Sequence, residues 1–170
     1  MELRFVAAVI IGLLAVVFDV RRGRIPNGLT FGGAAAAFSY GIAMHGLNGG
    51  GLAAAGWLTG AALFFPFFAL GGMGAGDVKL LAALAAWLGP ADGVWLAVFA
   101  SIAGGALALA VAISTGYLRQ AIGNVWLMLT HWRVVGLGPV DGMTLRDSQG
   151  PRLAYAIPIT IGVLCTLWRQ

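Results

Sequence analysis

The chain has 170 residues, of which 60% are hydrophobic and only 9% charged, whereas soluble domains carry about a quarter charged residues, so a water-soluble fold is excluded. The net charge of +4 does not indicate a nucleic-acid partner, because such surfaces gather basic residues on one solvated face, and here they fall between apolar runs. The single cysteine, Cys165, rules out an intrachain disulfide and a thiolate metal cage and reads as a small buried hydrophobe.

The first apolar run covers residues 3 to 19. Its Phe5 to Phe18 core behind Arg4 has the length of a signal-peptide core. It ends, however, without a small-residue cleavage site, running through Val16, Val17 and Phe18 into Asp19 and the cluster Arg21, Arg22, Arg24. It therefore reads as a membrane anchor. Runs at 28 to 45 and 52 to 70 follow, the second carrying Gly56 and Gly60 in a spacing that suits close helix contact. The run at 77 to 89 is short for the roughly 30 Å of hydrocarbon, so it is expected to start below the surface or lean on neighbours. The runs at 93 to 117 and 153 to 169 complete six expected transmembrane helices.

Between the last two runs, Leu118 to Val134 places Leu118, Ile122, Val125, Trp126 and Leu129 on one helical face and Arg119, Gly123, Asn124, Thr130 and His131 on the other. Such a pattern predicts an interfacial amphipathic helix. Gly136 to Arg152, with Pro139, Asp141, Gly142, Asp147 and Gly150, reads as a loop. The expected fold is all-α and polytopic, a single domain over 1–170 in contact with the lipid bilayer.

Cytoplasmic loops carry the excess of Lys and Arg. With the N-terminus outside, Arg21, Arg22, Arg24, Lys79, Arg119, Arg133, Arg146 and Arg152 lie inside, and only Arg4 and Arg169 lie outside. This orientation, which rests on Lys and Arg alone, brings Asp19 and Asp77 to the same border. An ionisable residue at the bilayer border is by default a functional hypothesis. Each aspartate alone also fits a plain role at a helix end. Together they fit acid–base chemistry, because two facing carboxylates in a low-dielectric site tend to share one proton, leaving one as base and the other as acid. Gly74 and Gly76, just before Asp77, are expected to permit unusual backbone angles and close approach of a substrate.

The wording around both aspartates resembles the type IV prepilin peptidases, membrane aspartyl proteases of the GxGD type. Gly74-Ala75-Gly76-Asp77-Val78-Lys79-Leu80 is similar to the family's signature, and Asp19 followed by Arg24-Ile25-Pro26-Asn27 is similar to its aspartate ahead of a hydrophobic-Pro-Asn step. Tyr155-Ala156-Ile157-Pro158-Ile159 looks like a loosened form of the family's closing helix. The resemblance implies that Asp19 and Asp77 are the catalytic pair, that Gly74 and Gly76 shape a loop with Lys79 as an electrostatic neighbour, and that Ile25, Pro26 and Asn27 set the turn after the first helix. It also implies a bacterial inner-membrane endopeptidase that needs no cofactor and cuts the leader from a prepilin or pseudopilin at the cytoplasmic border. Larger members carry paired Cys-x-x-Cys motifs linked to N-methylation. This chain lacks them and resembles the short form of tight-adherence (Flp-type) pilus systems, so methyl transfer is not expected.

Other chemistries find less support. His45 and His131 fall on opposite sides without an HExxH context, so no metal site is expected, and Ser39, Ser101 and Ser114 have no suitably spaced histidine. A proton- or cation-coupled transporter using Asp19 and Asp77 predicts a polar trail through the helices, which hold little beyond occasional Ser, Thr and Asn. A non-catalytic assembly scaffold would make both motif matches accidental.

Overall fold

The computed structural model describes residues 3–138, 140 and 153–169. Among the described residues are six α-helices and no strand: α1 (Leu3–Arg22), α2 (Asn27–Ala69), α3 (Ala75–Leu88), α4 (Pro90–Ser114), α5 (Leu118–Val135) and α6 (Ala156–Trp168). The helices α1, α2 and α4 are long and apolar enough to cross a membrane, while α6 is a shorter apolar helix. Of the loop expected at Gly136 to Arg152, Pro139 and residues 141 to 152, including Asp141, Arg146, Asp147 and Arg152, lie outside the described residues.

The 20 residues of α1 reach about 30 Å at ~1.5 Å per residue. Arg21 and Arg22 occupy its last turn, where cations suit the exposed carbonyls. Gly23 closes it at φ 62, its N–H donating to the Asp19 carbonyl at 2.8 Å in a left-handed C-cap. The next helix, α2, is 43 residues long and would extend about 65 Å if straight, roughly twice the hydrocarbon thickness. It breaks at Gly46, with φ 61 and ψ −150, a conformation open mainly to glycine. There the chain doubles back, since a Cβ built on Gly41 would lie 2.6 Å from the Gly49 carbonyl oxygen. The two arms correspond to the runs expected at 28 to 45 and 52 to 70, joined by a single-residue hinge at Gly46 in place of a longer connection.

Fourteen residues long, α3 would extend only about 21 Å. It packs against α1, α2, α4 and α6, with Val78, the whole of Leu80 to Ala86, and Leu88 buried. A helix enclosed by protein need not match the lipid thickness, which accounts for the short run. Its neighbours approach through small residues, as membrane packing requires. A Cβ on Gly60 would lie 2.9 Å from the Ala82 Cα, and one on Gly93 would lie 3.0 Å from the Ala85 Cβ. Gly56 meets the Ala85 carbonyl in the same way, so the expected contact role of Gly56 and Gly60 is filled by α3. Trp87 acts as packing, its indole N–H donating to the Gly33 carbonyl at 2.9 Å.

The last helix, α6, is wedged between α1 and α4. A Cβ on Gly162 would sit 2.9 Å from the Ala100 nitrogen, and one on Gly12 would sit 3.0 Å from the Thr160 Oγ1. Asp19 meets Ala156 and Gly12 meets Thr160, so α1 and α6 run antiparallel. Arg169, just beyond α6, donates to Asp92 in the first turn of α4 at 3.0 Å. The bundle thus has one end carrying Asp19 and the start of α6, and an opposite end carrying Asp92 and Arg169.

Large apolar side chains line the outside, among them Ile10 and Leu13 on α1, Leu58 and Phe65 on α2, and Ile102 and Ile113 on α4. In α5 no residue is buried. Its Leu118, Ile122, Val125, Trp126 and Leu129 line a shallow apolar groove with the end of α4, the same face the sequence pattern selects.

Candidate active site

Asp19 lies in the last turn of α1 and Asp77 in the first turn of α3. Both are half-buried, and their carboxyl groups interact electrostatically. Each is fixed by a backbone amide. The Gly74 N–H donates to Asp77 Oδ2 at 3.2 Å, half of a capping box in which the third helical residue reaches back to the cap. The Ala156 N–H donates to Asp19 Oδ2 at 3.1 Å, so the N-terminus of α6 holds the carboxylate of α1 across the bundle. Free N–H groups at a helix start are natural partners for such an oxygen.

Three further residues lock the two motifs together. Pro26 is the N-cap of α2, at φ −63 and ψ 136, an angle its ring already favours, and its carbonyl accepts the Leu29 N–H at 3.1 Å. Ile25 is buried at 8% exposure and faces Gly76, where a Cβ would lie 3.5 Å from its own. Asn27, first residue of α2, accepts a hydrogen bond through Oδ1 from Lys79 Nζ at 3.1 Å. The ammonium of Lys79 also lies 5.3 Å from the Phe31 ring centroid. The Ile-Pro-Asn turn is therefore a docking surface for the first turn of α3, and Lys79 is the tie between them.

The glycines act differently from the expectation. Gly74 sits at φ −76 and ψ 145, Gly76 is helical, and neither has a positive φ. The unusual angle in this segment belongs to Gly71, at φ 78, which ends α2 with its N–H on the Phe68 carbonyl. Gly74 is small because a Cβ there would press to 3.0 Å from Asp77 Oδ2, whereas a Cβ on Gly76 would meet Ile25 at an ordinary 3.5 Å. At Gly74 the reason is contact, and at neither position is it backbone freedom.

Sequence reasoning did not single out the Ala156 amide or Tyr155. Tyr155 is the N-cap of α6 and interacts electrostatically with Asp77. The only signal was the loosened motif from Tyr155 to Ile159. A cavity of about 450 Å³ opens at the opposite end, lined by Arg4, Tyr40, His45, Trp87 and Asp92 among others. It contains one carboxylate and none of the motif residues, so size is outweighed here by chemistry in locating the site.

An all-helical membrane protein with two aspartates converging at one end is the class these features define. A sequence model of the Type IV leader peptidase family matches residues 6–109, more than half of the chain, and the chain belongs to that family. It is thus a protease of the type IV leader peptidase kind. No curated protein and no solved structure matches it. The matched region runs from α1 into α4 and holds both motifs.

Proposed function

We propose that the protein is an aspartic endopeptidase with Asp19 and Asp77 as its catalytic pair, removing the leader from a prepilin or pseudopilin at the cytoplasmic border of a bacterial inner membrane. The observation that carries this reading is the convergence of the two carboxyl groups, each held by a backbone amide from a different helix start. The chain crosses the membrane six times, counting α1, both arms of α2, α3, α4 and α6, with the N-terminus periplasmic. The Lys and Arg distribution supports that orientation.

Between them the pair carries one proton. The ionised carboxylate takes a proton from water as the oxygen attacks the scissile carbonyl, and the protonated partner gives its proton to the carbonyl oxygen. As the tetrahedral adduct collapses, a proton passes to the leaving amine, the C–N bond breaks, and the products are a carboxylic acid and an amine, with one water consumed. A site at the end of the bundle fits a substrate cut between a charged leader and an apolar helix, because the leader remains in water while the helix remains in lipid.

The test is co-expression with a candidate prepilin and a gel shift. Asp19→Asn and Asp77→Asn should each lower processing by at least about 10²-fold, the lower range for loss of a general acid or base, with both proteins still in the membrane. Asp92→Asn should remain active, since Asp92 pairs with Arg169 at the opposite end, as should Asp141→Asn and Asp147→Asn. Near-normal cleavage by either member of the pair refutes the assignment.

A further inference from the structure

Asp19 is held by a helix outside the matched residues 6–109, namely α6, through the Ala156 N–H. The N-cap residue of α6, Tyr155, makes no side-chain cap hydrogen bond, and the first amides of a helix lack intrahelical partners. Asp19 supplies one such partner from another helix. The position of that first turn therefore decides where the carboxylate is held.

Tyr155 makes the nearest contact of this turn with α4, beside Pro158, whose ring lies 3.8 Å from where a Cβ on Gly104 of α4 would be. The Tyr155 ring Cε1 lies 3.4 Å from the same point, the ring packs against the buried core, and the next residue in the chain is Ala156 itself. Farther along, α6 is pinned independently by Gly162 on Ala100 and by Thr160 on Gly12. Loss of the Tyr155 ring would thus loosen the first turn while leaving the rest of α6 in place.

We infer that Tyr155 is a positioning residue, its ring seated on Gly104 so that the Ala156 amide holds Asp19 facing Asp77. The inference rests on the proposed Asp19–Asp77 pair. Substrate is not bound through this contact, so the effect belongs in kcat. A misplacement of about 1 Å in a catalytic group can lower turnover ~10²-fold.

The experiment uses the full chain in lipid nanodiscs with a synthetic prepilin peptide, measuring kcat and KM. Tyr155→Ala should lower kcat about 30- to 100-fold with KM unchanged within about threefold. Tyr155→Phe, which keeps the ring, should restore kcat to within about threefold of wild type. Gly104→Val, which presses first on the Tyr155 ring and then on Pro158 of the same turn, should lower kcat about tenfold. Gly105→Val, at a position with nothing within 4 Å of a built Cβ, should leave it unchanged. If Tyr155→Ala does not accumulate, the comparison of Gly104→Val with Gly105→Val decides. A normal kcat in Tyr155→Ala, a loss expressed through KM, a Tyr155→Phe variant as impaired as Tyr155→Ala, or equal behaviour of the two glycine variants overturns the inference. Asp19→Asn and Asp77→Asn are measured alongside. If they cleave, the pair itself has failed. If they are inactive while Tyr155→Ala is normal, only the positioning role falls.

Discussion

Replacing Gly74 by alanine tests how tightly Asp77 is held. The backbone does not resist the change, since φ −76 and ψ 145 are ordinary for alanine. The new methyl, however, would lie 3.0 Å from Asp77 Oδ2, where the Gly74 N–H now donates at 3.2 Å. Either the carboxyl group turns away or the first turn of α3 widens by a few tenths of an ångström, and in both cases the bond is weakened. A hydrogen bond to a charged group contributes about 1.5–3 kcal/mol. With ~1.4 kcal/mol per factor of ten in rate, and with the site only half-buried, cleavage should fall about 10- to 30-fold. Gly76→Ala should behave oppositely. Its Cβ would meet Ile25 at 3.5 Å, an ordinary contact, and alanine favours the helix by about 1 kcal/mol, so activity should stay within about twofold of wild type. Gly76→Val should again impair cleavage, and more than Gly105→Ala, because its γ-carbons are driven into Ile25. The assay is a time course of prepilin processing on gels, normalised to the enzyme in the membrane. Gly74→Ala within twofold of wild type, or equal losses for Gly74→Ala and Gly76→Ala, would refute the contact argument.

The Lys79–Asn27 bond predicts coupling between the two motifs. In a double-mutant cycle of Asn27→Ala and Lys79→Ala, read as thermal stability in detergent, the interaction energy should be about 0.5–1.5 kcal/mol, and additive effects would show that the tie is not made. For the orientation, cysteines placed on a Cys165→Ala background at Asn48 and Ala91 should react with a membrane-impermeant reagent from the periplasm, and those at Gly23 and Ser148 only after the inner membrane is opened. Labelling of Gly23 from outside would put Asp19 in the wrong compartment for a leader still in the cytoplasm.

Much of this was legible in the residues, and the remainder has identifiable physical reasons. Each of the six apolar runs coincides with a helix or a helix arm because continuous apolar stretches leave the backbone no other way to satisfy its polar groups in lipid. The apolar run reads from 93 to 117, whereas Gly89 at φ 87 followed by Pro90 starts α4 three residues earlier. The last run reads from 153, whereas α6 opens at Ala156. The hinge at Gly46 was hidden because Gly46, Gly49, Gly50 and Gly51 read equally as a loop, and only the doubling back shows that a single glycine breaks the helix. The local wording around Asp19 and Asp77 marked both residues, but the mutual fit of Ile25 with Gly76 and of Asn27 with Lys79 is a tertiary contact between separate segments. No spacing rule exposes it. The Ala156 amide leaves no mark in the sequence, since a backbone donor has no side chain to read.

That amide also resolves an electrostatic problem in the placement of the pair. Asp77 occupies the first turn of its helix, where the unpaired N–H groups and the helix dipole favour a carboxylate by about 0.3–1 kcal/mol. Asp19 occupies the last turn of α1, where the same dipole opposes a negative charge by a similar amount. If α1 and α3 were the whole site, Asp19 would lack the helix-start donors that Asp77 has. Arg21 and Arg22 share the end of α1, but both are exposed, where water and salt screen their charge. The start of α6 acts at contact distance, presenting a donor 3.1 Å from Asp19 Oδ2. Each carboxyl group then stands at a helix N-terminus, Asp77 at its own and Asp19 at a borrowed one. On this view a version of the chain ending after α5 would retain both motifs and still fail to hold its first aspartate.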